Sequence, residues 1–124
     1  MSFEYWFEAD KKLDKEKMKD LFLEAGAKIV SDPNKEIQVF YFSESGLNAW
    51  ECEVKDGQDI IKSEDAKGLV FSVGSRCIFR VDSHNYNKKL NDLERFLNKV
   101  YETTGAHFVV SFQLEKACYL NPTA

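Results

Sequence analysis

The chain has 124 residues, 44% of them hydrophobic and including ten Phe, five Tyr and two Trp. That composition builds a core and excludes intrinsic disorder, and the length predicts a single domain over 1–124. A formal net charge of −4 excludes a sequence-independent grip on phosphate backbones, so nucleic acid is not an expected partner.

"SFEYWFEA" alternates Phe3, Tyr5 and Phe7 against Glu4, Trp6 and Glu8, which predicts a half-buried strand. Asp14 follows as an N-cap, with Leu13 and Met18 placed as a hydrophobic staple. Met18, Leu21, Phe22 and Ala25 then repeat at helical spacing up to Gly26, predicting a helix over 14–25. Pro33 makes "SDPNKE" a turn.

"IQVFYFSE" is the next strand, with Ile37, Val39 and Tyr41 opposed to Gln38, Phe40 and Phe42. After "SESGLN" a third strand sets Trp50, Cys52 and Val54 against Glu51, Glu53 and Lys55, and the two are expected to pair as a hairpin. Residues 56–67 read as loop, with a helical turn or edge strand around Ile60 and Ile61 as the alternative. "GLVFSV" and "RCIFRV" flank Gly74 and Ser75, which predicts two strands joined by a type II′ turn. Leu90, Leu93, Leu97, Val100 and Tyr101 stripe a second helix closed by Gly105, with Ser83, Asn85 and Asn87 as candidate caps. "HFVVSFQL" ends the series as a strand with Phe108, Val110, Phe112 and Leu114 on one face.

The order β-α-β-β-β-β-α-β predicts an α+β fold: a mostly antiparallel sheet of about six strands with two helices on one face. The opposite face is expected to carry Trp6, Phe40 or Phe42, and a row of glutamates.

Three cysteines, Cys52, Cys77 and Cys118, are too far apart and odd in number for a disulfide framework. With no signal-peptide pattern and no run of apolar residues approaching a membrane span, they predict a cytoplasmic protein without membrane contact.

The segment "VGSRCIFRVDSH" crowds a thiol, two guanidinium groups, a carboxylate and an imidazole into residues 73–84. On an extended strand Cys77 and His84 stand roughly 23 Å apart, far beyond hydrogen-bond reach. Cys77, Phe79 and Val81 are expected inward, with Arg76, Ile78, Arg80 and Asp82 on the other side. Glu51 and Glu53, about 6.6 Å apart on one ridge, do not face each other across a substrate as glycoside hydrolysis requires. No metal-ligand spacing and no phosphate-cradling loop occurs, so no catalytic residue, metal or cofactor is predicted.

Charge is concentrated instead. "ECEVKDGQDIIKSED", residues 51–65, holds Glu51, Glu53, Asp56, Asp59, Glu64 and Asp65 against Lys55 and Lys62, which accounts for the whole net charge. Acids of this density steer a cationic protein, and Trp6 and Phe42 are the expected aromatic anchors.

With "MSFEYWFEAD" entering directly into a strand, the acidic run and no catalytic signature, the chain resembles the small cytoplasmic immunity proteins of bacterial contact-dependent growth inhibition and related polymorphic toxin systems. The resemblance implies a non-enzymatic inhibitor that binds a secreted toxin domain, often a nuclease, and blocks its basic active site. It carries no binding residue across by position. Two other readings stand beside it: a small-molecule-binding regulatory domain with its ligand near Arg76 and Arg80, and a hydrolase using Cys77 with His107.

Overall fold

Among the described residues the chain forms seven strands, with two amphipathic helices covering one side of them. The computed structural model describes residues 2–31 and 38–121. In chain order the elements are β1 (Ser2–Asp10), α1 (Lys15–Glu24), β2 (Lys28–Ser31), β3 (Gln38–Phe42), β4 (Leu47–Cys52), β5 (Val73–Asp82), α2 (Tyr86–Thr104), β6 (Phe108–Phe112) and β7 (Lys116–Asn121). The strands form one sheet in the order β2-β3-β4-β5-β1-β6-β7. All six pairings are antiparallel. The α+β class is as expected from the sequence. Of the turn predicted over 31–36, all but Ser31 lies outside the described residues, as does Ile37.

Helix α1 starts where the sequence signals it. The Asp14 side chain accepts a hydrogen bond from Lys17 N–H at 2.8 Å, and Leu13 and Met18 are both buried as a staple requires. Gly26 follows the C-cap at φ 102°, a left-handed conformation that glycine adopts without Cβ strain. Helix α2 is led by Asn85, itself left-handed and without a side-chain cap. Its inward face carries Leu93, Phe96, Leu97 and Val100, whereas Tyr101, expected in the stripe, is 57% exposed.

The core lies between the helices and one sheet face. Phe22 stacks on Phe96 at 3.9 Å between ring centroids and on Phe40 at 4.2 Å, while Phe7 meets Phe96 edge-on at 5.4 Å. Three rings layered in this way bury large apolar area and gain from ring geometry as well.

The structure corrects the strand list in three places. The short stretch 28–31 is a strand, and so is 116–121 at the opposite edge. Gly74 and Ser75 make no hairpin turn, because 73–82 is one continuous strand and 68–72 is irregular. The reason lies in the β1–β5 register, which passes from Ala9↔Ser75 to Asp10↔Val73 and leaves Gly74 unpaired in a bulge. A Cβ on Gly74 would stand 2.6 Å from Lys11 Cα and 2.8 Å from Asp10 O. Glycine is there to let two backbones approach, not to turn the chain.

Candidate functional site

Residue parity sorts the sheet into two faces. Tyr5, Phe7, Ala9, Leu47, Ala49, Cys77, Phe79 and Val81 point to the helices and are buried. Glu4, Trp6, Glu8, Asn48, Trp50, Arg76, Ile78 and Arg80 point the other way, as the pairing of β1 and β4 with β5 requires. That second face is not an open plain.

The segment between Cys52 and Val73 leaves β4 and crosses it. Lys62 N–H and Ser63 N–H donate to Glu8 Oε2 and Oε1 on β1, at 2.7 and 3.0 Å. Glu64 N–H donates to Leu114 O at 2.8 Å, and Asp65 accepts from Ala117 N–H on β7 at 3.2 Å. On its return the segment lays Phe71 flat on His107, 6.2 Å between centroids, and closes with Val73 N–H on Asp59 O at 2.8 Å. This strap spans the sheet from β4 to β7 and back.

A buried ion pair clasps it. Arg76 and Glu8 have side chains 1% and 0% exposed, with Arg76 Nη2 3.0 Å from Glu8 Oε2. Arg76 also donates to the carbonyls of Gln58 and Ile60, at 3.2 and 2.9 Å. Burying two charges is tolerable only when each is paired and its remaining valences are satisfied, and here strap backbone supplies the remainder. Arg76 is therefore committed to the fold, with its guanidinium held by strap carbonyls, and the residue also borders a cleft of about 210 Å³. Arg80 differs: it is exposed and lies over the Trp50 ring at 5.2 Å, a cation–π contact.

The residues nominated from sequence fall in three places. Glu51 lies opposite Trp50, as expected, but on the helix side of β4, its side chain 12% exposed and 3.2 Å from Lys15 Nζ, so it does not join Trp6 on the other face in a row of glutamates. Glu53 lies past the end of β4 and is exposed, as is Asp56, while Asp59 is half-buried. These four line two adjoining clefts that share Val54 and Gly74. One, of about 370 Å³, is bordered by Lys11, Asp14, Lys55, Asp56 and Asp59; the other, of about 210 Å³, by Lys15, Glu51, Glu53 and Ser75.

Glu64 and Asp65 are separated from that flank. They sit across the sheet at the β6–β7 end, with Asp65 also 3.4 Å from Lys67. Trp6 is half-buried on the strapped face, between Ile78 and Ser111 in register.

Phe42, expected as a surface anchor, is 3% exposed and packs on Phe22 at 6.3 Å. Phe40 is buried with it, and Val39 and Tyr41 take the outer face instead. The all-carbon rings go where no polar atom needs water, and Tyr41 is left half-buried on the outer face. Exposed apolar side chains do occur on the strap: Ile60 is 72% and Val70 95% exposed. The signal for Ile60 was present in the sequence, as an isoleucine pair without periodicity inside a dense run of acids.

Cys77 faces the core, and burial pushes its thiol well above the usual range. Cys52 is raised too, chiefly by burial. His107 is held against Phe71. Among the described residues no group of three or more His, Cys, Asp or Glu could hold a metal ion, and no helix is long and apolar enough to cross a membrane.

Comparison of the chain with protein-family models, with curated proteins and with solved structures finds no match. The functional reading therefore rests on the arrangement of its own side chains.

Proposed function

We propose that the chain is a non-enzymatic, immunity-type binding protein that captures a cationic toxin domain through the flank formed by Glu51, Glu53, Asp56 and Asp59. The observation that carries this reading is the convergence of those four acids, with Asp14, on two adjoining clefts whose other charged residues are Lys11, Lys15, Lys55 and Arg76, beside a strap that exposes Ile60 and Val70. Long-range attraction from the acids raises the encounter rate, and desolvation of the exposed aliphatic side chains supplies adhesion after contact. Glu64 and Asp65 belong to the far side of the sheet and add to the field without sharing the contact. On this reading the partner's basic active-site surface meets the flank and is occluded, and the inhibitor performs no chemistry.

The test uses the carboxy-terminal domain of an exported protein encoded in the adjacent reading frame. Co-expression should protect cells from that domain, and the purified pair should associate more slowly as salt rises, since screening lengths fall from about 30 Å at 0.01 M to about 8 Å at 0.15 M. Reversing charge at Asp56 and Asp59 together should slow association severalfold and flatten the salt dependence. Equal association rates for parent and charge-reversed protein across that salt range would refute the reading.

A further inference from the structure

Away from the acidic flank, a further cleft lies between helix α2 and the edge strand β7. Glu94, Leu97 and Tyr101 stand at i, i+3 and i+7, hence on one face of α2. Tyr119 pairs with buried Val110, so its side chain is on the helix side of the sheet. With Phe108 and Leu120 these residues border a space of about 380 Å³, within the range of small-ligand pockets, about 300–1,000 Å³. Strand β7 is the last of the sheet, and the walls beside it can be reached from solvent: Tyr101 is 57% and Leu120 38% exposed, and Glu94 is exposed.

The chemistry of the lining selects the ligand. Glu94 Oε1 accepts a hydrogen bond from the Tyr119 hydroxyl at 2.8 Å, which seats the carboxylate beside that ring. Burial, and then this bond, push the Tyr119 hydroxyl up, so it stays a neutral donor at physiological pH. Glu94 is therefore the one formal charge among the described lining residues, none of which is cationic. Aromatic faces attract cations through the ring quadrupole. A primary ammonium or a guanidinium brings several N–H donors that need acceptors, and here one carboxylate oxygen is already shared with Tyr119. A quaternary ammonium has no N–H to satisfy and offers a methyl surface to the rings, the match that aromatic cages use for choline. We infer that this cleft binds a free quaternary amine of the choline class, its methyl groups against Tyr101 and Tyr119 and its charge beside Glu94. A phosphocholine lipid head would bring a phosphate that the described lining has no cation to meet.

Four strand steps separate β4 from β7, roughly 19 Å across the sheet. The site is thus distinct from the flank of Glu51, Glu53, Asp56 and Asp59, and stands or falls independently of the immunity-type reading.

The probes are choline, its uncharged isostere neohexyl alcohol, and ethanolamine, titrated into the full chain while backbone amide shifts are followed. Choline should give saturable shifts centred on residues 94–101 and 119–121, with each of the other two at least about fivefold weaker. Tyr101→Leu should weaken choline about threefold, and Tyr101→Phe, which keeps the ring, should stay within about twofold of the parent. Glu94→Gln should weaken it about threefold to fivefold; both positions are exposed, where substitution leaves the fold intact. Non-saturating shifts, the uncharged isostere binding as tightly as choline, or choline affinity unchanged in both Tyr101→Leu and Glu94→Gln would each overturn the inference. Co-sedimentation of the protein with phosphatidylcholine vesicles, reversed by free choline, would overturn the assignment to a free amine.

Discussion

Replacing Arg76 with Met tests whether the buried pair holds the strap. The variant keeps most of the side-chain volume but removes the bonds from Nε and Nη2 to Glu8, at 3.2 and 3.0 Å, and those to the Gln58 and Ile60 carbonyls. Glu8, with no exposed surface, is left with only the Lys62 and Ser63 amides. An uncompensated buried charge of this kind costs about 3–5 kcal/mol, a large share of a domain stability of about 5–15 kcal/mol. The midpoint of thermal unfolding should fall by roughly 10–20 °C.

The strap offers a way out that limits the loss. If residues 58–63 lift from the sheet, water reaches Glu8, and the penalty is exchanged for lost strap contacts. Amide hydrogen exchange separates the two responses, because the Lys62 and Ser63 amides should lose protection in Arg76→Met before the β1 and β5 amides do. The double variant Glu8→Leu with Arg76→Met should regain part of the global stability, since no charge stays buried, yet should not restore protection at 62 and 63. Arg76→Met within about 1 kcal/mol of the parent, with both amides still protected, would refute the reasoning.

Gly74→Ala should destabilise by about 1–3 kcal/mol or more, read from the denaturant midpoint, because its new methyl meets backbone atoms of Asp10 and Lys11 and not a yielding side chain. Alkylation by iodoacetamide under native conditions should label exposed Cys118 first, Cys52 later, and Cys77 only on unfolding, with mass mapping as the readout. Asp82 is held below the usual carboxylate range chiefly by the hydrogen bond from Lys89, at 2.7 Å. A group with a lowered folded pKa stabilises fully above its unfolded value of about 3.9 and loses that contribution as pH falls through the folded value. The stability difference between parent and Asp82→Asn should therefore be constant near neutrality and shrink in acid; a difference that grows in acid would reverse the assignment.

Local signals were legible in the sequence and distant ones were not. Asp14, the Leu13 and Met18 staple and Gly26 bracket α1 within fourteen residues, and all three act as their chemistry demands. The alternation of β1, β3 and β6 likewise marked strands, and the β3–β4 hairpin follows from adjacency. Strand β2 is four residues long, too short for a period-two pattern to show. Strand β7, at a sheet edge, buries only Asn121 among its six residues, so its composition carries little apolar contrast. A Gly-Ser pair between apolar runs looks the same whether it turns the chain or admits a crossing backbone, and only the position of Lys11 decides. Glu8 shows the limit most plainly. Its place in the alternation matches a solvated residue, and its burial depends on a partner 68 positions away.

The same clasp bears on how a partner would be met. Irregular segments of some twenty residues are ordinarily mobile, and ordering one on binding would consume much of the interaction energy. Here Arg76 fixes the carbonyls of Gln58 and Ile60 and Val73 N–H fixes that of Asp59, so the stretch carrying Asp59 and the exposed Ile60 is set in place before any partner arrives. Asp56 precedes these anchors by only two residues, and Gln58 N–H bonded to Lys55 O at 2.9 Å closes the turn that presents it. A buried ion pair adds little net stability relative to an apolar pair, so its value here lies in geometry. It registers an acidic loop on a rigid sheet, so that on the proposed reading charge and apolar contact would reach a partner in a single fixed arrangement.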